Sequence, residues 1–347
     1  MRINVNADVI ADNLITTIRH YHHHHHFLWV LLILLLGCGD EQIASSKGTI
    51  EGFPVEIQLV KTDAGRMHKA LKAGMETIER RLKTAFDAEG ELARLNKQRS
   101  LKSPSSEFIA LLSLNEQFQK ETNGAFEPRL GEVKQLWHWR ENRPQPPEAE
   151  RLVVALEKAR ATRVVLKTDE VALEGLGALD FGRFACGWAA DGAYEAILSA
   201  GVTDGSIKVG DVTRYWGAPS SDFKWSTRIP DTMVDTMFYI ITPDPGALAI
   251  IHPALNGFKL NDKNVPRLLD PKTGMPCDSV WALVVWSPSA SEAGALSEAL
   301  FAMGKRSAVS YVADKSKIGL LVMHGSGDDY AAESDPVMRR WIEVELP

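Results

Sequence analysis

The run Leu179-Asp180-Phe181-Gly182-Arg183-Phe184-Ala185-Cys186-Gly187-Trp188-Ala189-Ala190-Asp191 decides how the chain is read. It marks the end of a strand, a glycine-bearing turn and the start of a helix. Upstream, the apolar residues of Val171 to Asp180 lead into an acid at the strand tip. Downstream, apolar or small residues at 189, 193, 196, 197 and 200 follow the spacing of one helical face, and Gly201 supplies a stop. Backbone N–H groups at such a helix start, with glycines permitting close approach, suit an anionic group such as a pyrophosphate. The same pattern also serves a tight strand-to-helix connection that binds nothing. A single G-x4-G does not choose between the two.

The composition around this run is that of an ordinary globular protein. Its 347 residues are 45% hydrophobic and 24% charged, enough for one large domain or two intimate lobes. A net charge of −6, with no basic face or tail, speaks against nucleic acid as a partner. Three cysteines are too few for a disulfide scaffold. At the front, residues 27–37 form an unbroken apolar run of signal-peptide length. At about 1.5 Å per residue it is too short to cross a hydrocarbon core of roughly 30 Å as a helix. Leu35-Leu36-Gly37-Cys38 resembles a bacterial lipobox, which would make Cys38 the lipidated first residue of an exported lipoprotein; a plain signal anchor is the alternative. The upstream charge is poor, with Arg2, Arg19 and a tract of histidines at His20 and His22 to His26. The organisation expected is a signal peptide at 1–37, lipidated Cys38 with a tether to residue 47, and a domain over 48–347.

Several segments, in order, carry a family resemblance. The opening run resembles the D-L/F-G-G-I/V-A-K-G-Y/W-A-x-D segment of the FAD:protein FMN transferases, the ApbE family. Phe86 to Asn96 is similar to Y-x-P-x-S-E-L/I-S-x-L/F-N, and Thr122 to Gly131 with Leu136-Trp137 to T-x-G-A-F-D-P-T-x-G…L-W. Arg267-Leu268-Leu269-Asp270-Pro271-Lys272-Thr273-Gly274-Met275-Pro276 resembles H-I/L-I/L-D-P-R/K-T-G-x-P. The resemblance implies an α+β fold of mainly antiparallel sheets flanked by helices, two-lobed, with the 179–191 and 270–276 turns lining one cleft. It implies FAD as substrate, cleaved at its pyrophosphate so that FMN joins a threonine or serine hydroxyl of an acceptor protein, assisted by Mg²⁺. By position, Phe86, Ala125, Phe126, Glu127, Asp180, Cys186 and Leu269 would border the flavin nucleotide, and Arg267 and Asp270 would sit where the chemistry happens. Arg183, through its carbonyl, and Glu298 would hold the metal.

The departures fall on that chemistry. The family's metal helix, A-D-x-L-S-T-A, reads Ala293-Gly294-Ala295-Leu296-Ser297-Glu298-Ala299, so the Asp has become Gly294 and the Thr Glu298. Positions 294 and 298 share a helical face, which keeps a carboxylate there but displaces it. The family's lysine is Cys186 and its histidine Arg267, which cannot accept a proton. Phe86 keeps an aromatic face without the hydroxyl. Three readings stay open: a transferase with a rearranged site, a flavin- or nucleotide-binding lipoprotein without catalysis, and an unrelated secreted phosphate-binding protein. Asp191, Asp211 and Asp270 fit acid–base work but also turn and cap roles. Cys186 and Cys277 each adjoin a cleft segment and could pair across it in an oxidising compartment.

Along the rest of the chain, one strand is expected over 49–59, helices over 64–86, 104–122, 148–161 and 291–303, and a hairpin around 168–170. Further strands are expected near 206–211, 225–229, 237–242, 248–251, 280–286, 318–323 and 341–346. Residues 141–149 read as an exposed loop.

Overall fold

A computed structural model describes residues 43–345, apart from 61, 139–143, 222, 232–237, 261–262, 279 and 326–330. The expected signal peptide and Cys38 lie outside the described residues.

The frame is an eight-stranded sheet in which every neighbouring pair is antiparallel. In spatial order its strands are Ile43–Ile50, Phe53–Val60, Gly205–Val209, Val212–Trp216, Gly246–Ile251, Ala282–Ser287, Gly319–His324 and Ala331–Ser334. Successive side chains point to opposite faces. On one face, Ile57, Leu59, Ile207 and Val209 pack against Leu71, Met75 and Ile78 of the Ala64–Phe86 helix and Ala189, Ala193 and Ile197 of the Gly182–Ser199 helix. Farther along that face, Leu283, Val285 and Val322 meet Leu296, Leu300 and Phe301 of the Ala290–Val312 helix. On the other face, Val284, Trp286, Leu321 and Met323 meet Ile229, Tyr239 and Ile241 of a three-stranded sheet, Thr227–Pro230, Phe238–Ile241 and Ile342–Glu345. Ala282–Ser287 is therefore buried at every position and reads as a continuous apolar run.

A second core forms around the Glu91–Gln98 and Ser106–Glu121 helices and a small sheet of Ser100–Lys102, Glu170–Glu174 and Arg163–Leu166. Phe108, Leu111, Phe126 and Phe181 belong to it, with Phe184 edge-on to Phe118, Phe126 and Phe181. The Gly182–Ser199 helix thus has one end in each core. Its Gly187 leaves no room for a Cβ against the Ala290 carbonyl, so this helix and the Ala290–Val312 helix touch backbone to backbone.

The expected α+β architecture is observed, and the Ala64–Phe86 helix has the expected bounds. The single strand expected over 49–59 is instead a hairpin, Ile43–Ile50 with Phe53–Val60. Glu51 and Gly52, at φ 49° and 82°, form the primed turn that suits right-twisted strands. Residues 43–47, assigned to a tether, are thereby the first half of a strand. The strand before the central run ends at Glu174, and the approach to Asp180 is irregular backbone. Val212–Trp216 was not anticipated, and the helix expected over 291–303 continues to Val312 past a break at Gly304.

Candidate active site

The irregular approach, 175–181, is held in part by segments that carry the sequence resemblance. The Asn96 side-chain amide donates to the Leu179 carbonyl at 2.9 Å and accepts from the Leu179 N–H at 2.8 Å. Arg99 donates to the carbonyls of Gly175 and Gly177, and the Thr162 hydroxyl accepts from Gly177 N–H. Gly131 N–H donates to the Ala178 carbonyl and Asp180 N–H to the Pro128 carbonyl. Three sequence-distant stretches therefore fix one short loop, and that loop delivers Asp180.

Asp180 anchors a cluster of charges in which Glu298 is buried and the others are partly buried. Its Oδ1 accepts from Lys134 Nζ at 2.6 Å and from Gly182 N–H at 3.1 Å. Lys134 comes from the short Gly131–Leu136 helix. Burial works against its charge, yet Asp180 and then Glu298 more than offset it, and its pKa lies above the ordinary lysine value. Glu298 Oε1 accepts from Arg183 N–H at 2.6 Å. Burial pushes the Glu298 carboxyl up, a shift that Lys134 and Arg183 oppose without cancelling. The Arg183 guanidinium reaches Asp211 at 3.3 Å, and its Nε is buried without a hydrogen-bond partner. Gly182 is needed twice over: φ is +51°, and a Cβ there would run into the Glu298 carboxylate.

The Gly210-Asp211 turn joins this cluster to its surroundings. A Cβ on Gly210 would contact Phe53 and Cys186, and the Phe53 ring lies 4.7 Å from that of Phe86. Phe86 and Cys186 are thus brought to the same turn as Asp211. Cys186 is buried, and burial, followed by Asp211, raises its thiol pKa. On the outer face of the sheet, Asp211 lines a polar cleft of about 420 Å³ with Glu56, Gln58, Lys208, Thr213 and Tyr215.

The other expected residues divide. Glu127 sits against Arg129, its oxygens accepting from Arg129 Nε at 2.7 Å and from the terminal guanidinium nitrogen at 2.6 Å. Glu127 and Arg129, both departures from the family pattern, therefore neutralise each other. Phe126 is buried in the second core, and Ala125 packs at its edge. Leu269 is buried with Val133 and Trp137, whose indole N–H donates to the Gly274 carbonyl at 2.9 Å. Segment 130–137 therefore touches both turns of the expected cleft. Asp270 serves its own turn, accepting from Lys272 N–H and the Thr273 hydroxyl. Arg267 is half-buried just before it. Asp191 takes the cap role, accepting from Arg214, from the N–H groups of Ala290 and Ser291, and from the Ser291 hydroxyl. Cys186 and Cys277 are free, buried thiols, so the disulfide envisaged between them is not formed.

Two expectations about charge change with this geometry. The first N–H groups of the Gly182–Ser199 helix do not wait for an external anion: Asp180 and Glu298 accept from them. The donors at the expected metal position also do not suit Mg²⁺, which wants several oxygen ligands in octahedral array. Glu298 supplies a single buried carboxylate, already bonded to Arg183 N–H and flanked by the charges of Lys134 and Arg183. At Gly294 a Cβ would lie 2.7 Å from the Arg183 carbonyl oxygen, so the lost Asp has no space at this helix spacing. Among the described residues no three His, Cys, Asp or Glu side chains gather as a metal site. Lys134, which decides this, fell in the unread gap between Gly131 and Leu136-Trp137. Between Val133 and Gln135, two residues after Glu132, Lys134 leaves no sequence signal, and six helical residues are too few to show a face.

Comparison with known proteins agrees with the fold. The model of the ApbE family matches residues 52–322. A Vibrio cholerae protein named FAD:protein FMN transferase is 24% identical over 323 residues, covering 86% of this chain and 94% of that protein. A Haemophilus influenzae protein of the same name is 23% identical over 294 residues, covering 81% and 84%. Among solved structures, the flavin transferase ApbE from Vibrio cholerae superposes with a TM-score of 0.74 at 18% identity, covering 87% of this chain and 99% of that one.

Proposed function

The chain belongs to the ApbE family, and from that premise we propose that it is an FAD:protein FMN transferase with a rearranged charge cluster. The observation that carries the reading is the convergence of Asp180, Gly182, Arg183, Asp211 and Glu298 at the start of the Gly182–Ser199 helix, where the family motif places its phosphate-binding turn. In the reaction a serine or threonine oxygen of the acceptor protein attacks the FMN phosphorus of FAD. The bond from that phosphorus to the bridging oxygen breaks, AMP leaves with the bridging oxygen, and the hydroxyl proton is released. Lys134 and Arg183 bear the positive charge that such a displacement needs near the phosphates, and the motif position of Arg267 assigns it the same work. Asp270 is assigned the proton on the family motif alone, since Arg267 cannot accept one. Phe86 offers the flavin an aromatic face. Mg²⁺ remains the family expectation, but no step here is routed through it, because the donor set does not fit.

One observation favours a second reading, a flavin-binding protein without catalysis. The charges that should meet the substrate are already paired inside: Lys134 with Asp180, Arg183 with Asp211 and Arg129 with Glu127. Incubating the purified protein with FAD and a flavin-accepting protein separates the readings. Covalent flavin fluorescence on the acceptor supports transfer; bound FAD with no covalent product supports the second reading. The protein is further proposed to be exported and held to a membrane by lipid on Cys38, with the acceptor on the same side. The lipobox-like Leu35-Leu36-Gly37-Cys38 and the apolar run before it support this.

A further inference from the structure

We propose that Lys134 is the built-in replacement for the divalent metal, so that this chain binds the FAD pyrophosphate without Mg²⁺. The proposal rests on the reading of the cluster as the FAD site. Three carboxylates, Asp180, Asp211 and Glu298, face two cations, Lys134 and Arg183. Fully ionised, the five groups sum to one negative charge, so the cluster is close to neutral before any ion enters. A divalent cation brought beside Asp180 and Glu298 would meet two largely buried positive groups, their side chains 14% and 11% exposed. At such depth like-charge contact is unfavourable, because water screens it less than at the surface. Displacing Lys134 to make room would strand an ammonium in the interior.

The lysine also has what the substrate needs. An ammonium carries three N–H donors, and Asp180 accepts one. Arg183 adds a buried Nε without a partner, which fits an oxyanion at the same place. The replacements then form one linked set. Glu298 in place of the family's Thr supplies a second negative charge to hold Lys134. Gly294 in place of its Asp lets the helix lie against the Arg183 carbonyl.

FAD titration of the full-length purified protein, with EDTA or with millimolar Mg²⁺, tests the idea, alongside thermal melts under the same conditions. The native protein is expected to bind FAD with the same affinity either way, and Mg²⁺ alone should not shift its melting temperature. Lys134→Met should weaken FAD binding by about tenfold or more, the loss of one charge-assisted contact. It should also acquire a Mg²⁺-induced rise in melting temperature, because Asp180 and Glu298 are left without their cation; a merely structural lysine would not produce that gain. Lys134→Arg should keep most of the affinity. Tighter FAD binding with Mg²⁺ in the native protein overturns the proposal and leaves the FAD site standing. Absence of FAD binding under every condition removes the site reading and the proposal with it. If Lys134→Met does not fold, the native titration still decides.

Discussion

Gly182 and Glu298 constrain each other more tightly than any other pair in the cluster. Gly182→Ala would place a methyl group against the Glu298 carboxylate in a left-handed backbone conformation. The change is expected to cost about 2–4 kcal/mol of stability and to weaken FAD binding, both readable by chemical denaturation and titration. Asn96→Ala removes the two partners of the Leu179 backbone; with both groups buried, the loss should be about 2–3 kcal/mol with reduced FAD affinity. Gly294→Asp with Glu298→Thr restores the family letters but not the family spacing. The added Cβ meets the Arg183 carbonyl, so a drop of about 1–3 kcal/mol is expected rather than a gain of function. These residues also show what the sequence revealed of the site. Motif order points to Asp180, Arg183 and Glu298 as candidates, and the structure brings the three side by side. Lys134 and the Asn96 clamp escaped because neither leaves a periodic signal: one lies in a helix of a single turn and a half, the other acts through backbone 83 residues away.

At the scale of elements, the Ser106–Glu121 helix is pinned to the Ala64–Phe86 helix by Glu107, which accepts from Arg80 at 2.9 Å and Arg81 at 3.3 Å. The hydrogen bond from Arg80, aided by Arg81, holds the Glu107 carboxyl below its usual range. A depressed acid stabilises the fold above its unfolded pKa, and that contribution fades as pH falls through the folded value. Glu107 is partly exposed, so Glu107→Gln should cost only about 1 kcal/mol at neutral pH. Melting curves of native and variant should converge on acidification, from about pH 4 downward. A gap that persists at low pH would show that the pair does not supply the stability. Elements of this kind were the legible part of the fold, since 23 residues of helical periodicity from Ala64 to Phe86 leave little ambiguity. Short strands around tight turns were not. The Gly210-Asp211 turn looked like a strand end with an acid, and its return strand, Val212–Trp216, passed unread. The first hairpin was hidden for the same reason: Gly52 and Pro54 looked like interruptions of one strand.

For the whole molecule, two claims reach beyond the described residues or the single chain. If Cys38 is lipidated, Cys38→Ser should leave uncleaved precursor, and mass spectrometry of the native N-terminus should find acyl groups; an unmodified Cys38 in membrane-bound protein would rule the anchor out. The larger claim is that a family site has kept its reaction while exchanging its metal, lysine and histidine positions for an internal network of charges. Fold positions and chemical positions have separated in this chain. Gly182, Gly187, Asn96 and Trp137 hold the scaffold in the family's places, while Lys134 and Glu298 redraw the electrostatics inside it. The most direct measurement incubates the purified protein with FAD and a flavin-accepting protein, following AMP release and flavin fluorescence on the denatured acceptor. A covalent flavin band on the acceptor is expected, with one AMP formed per flavin attached. Tight FAD binding with neither AMP nor a covalent band would contradict it and leave a flavin-binding protein on the same fold.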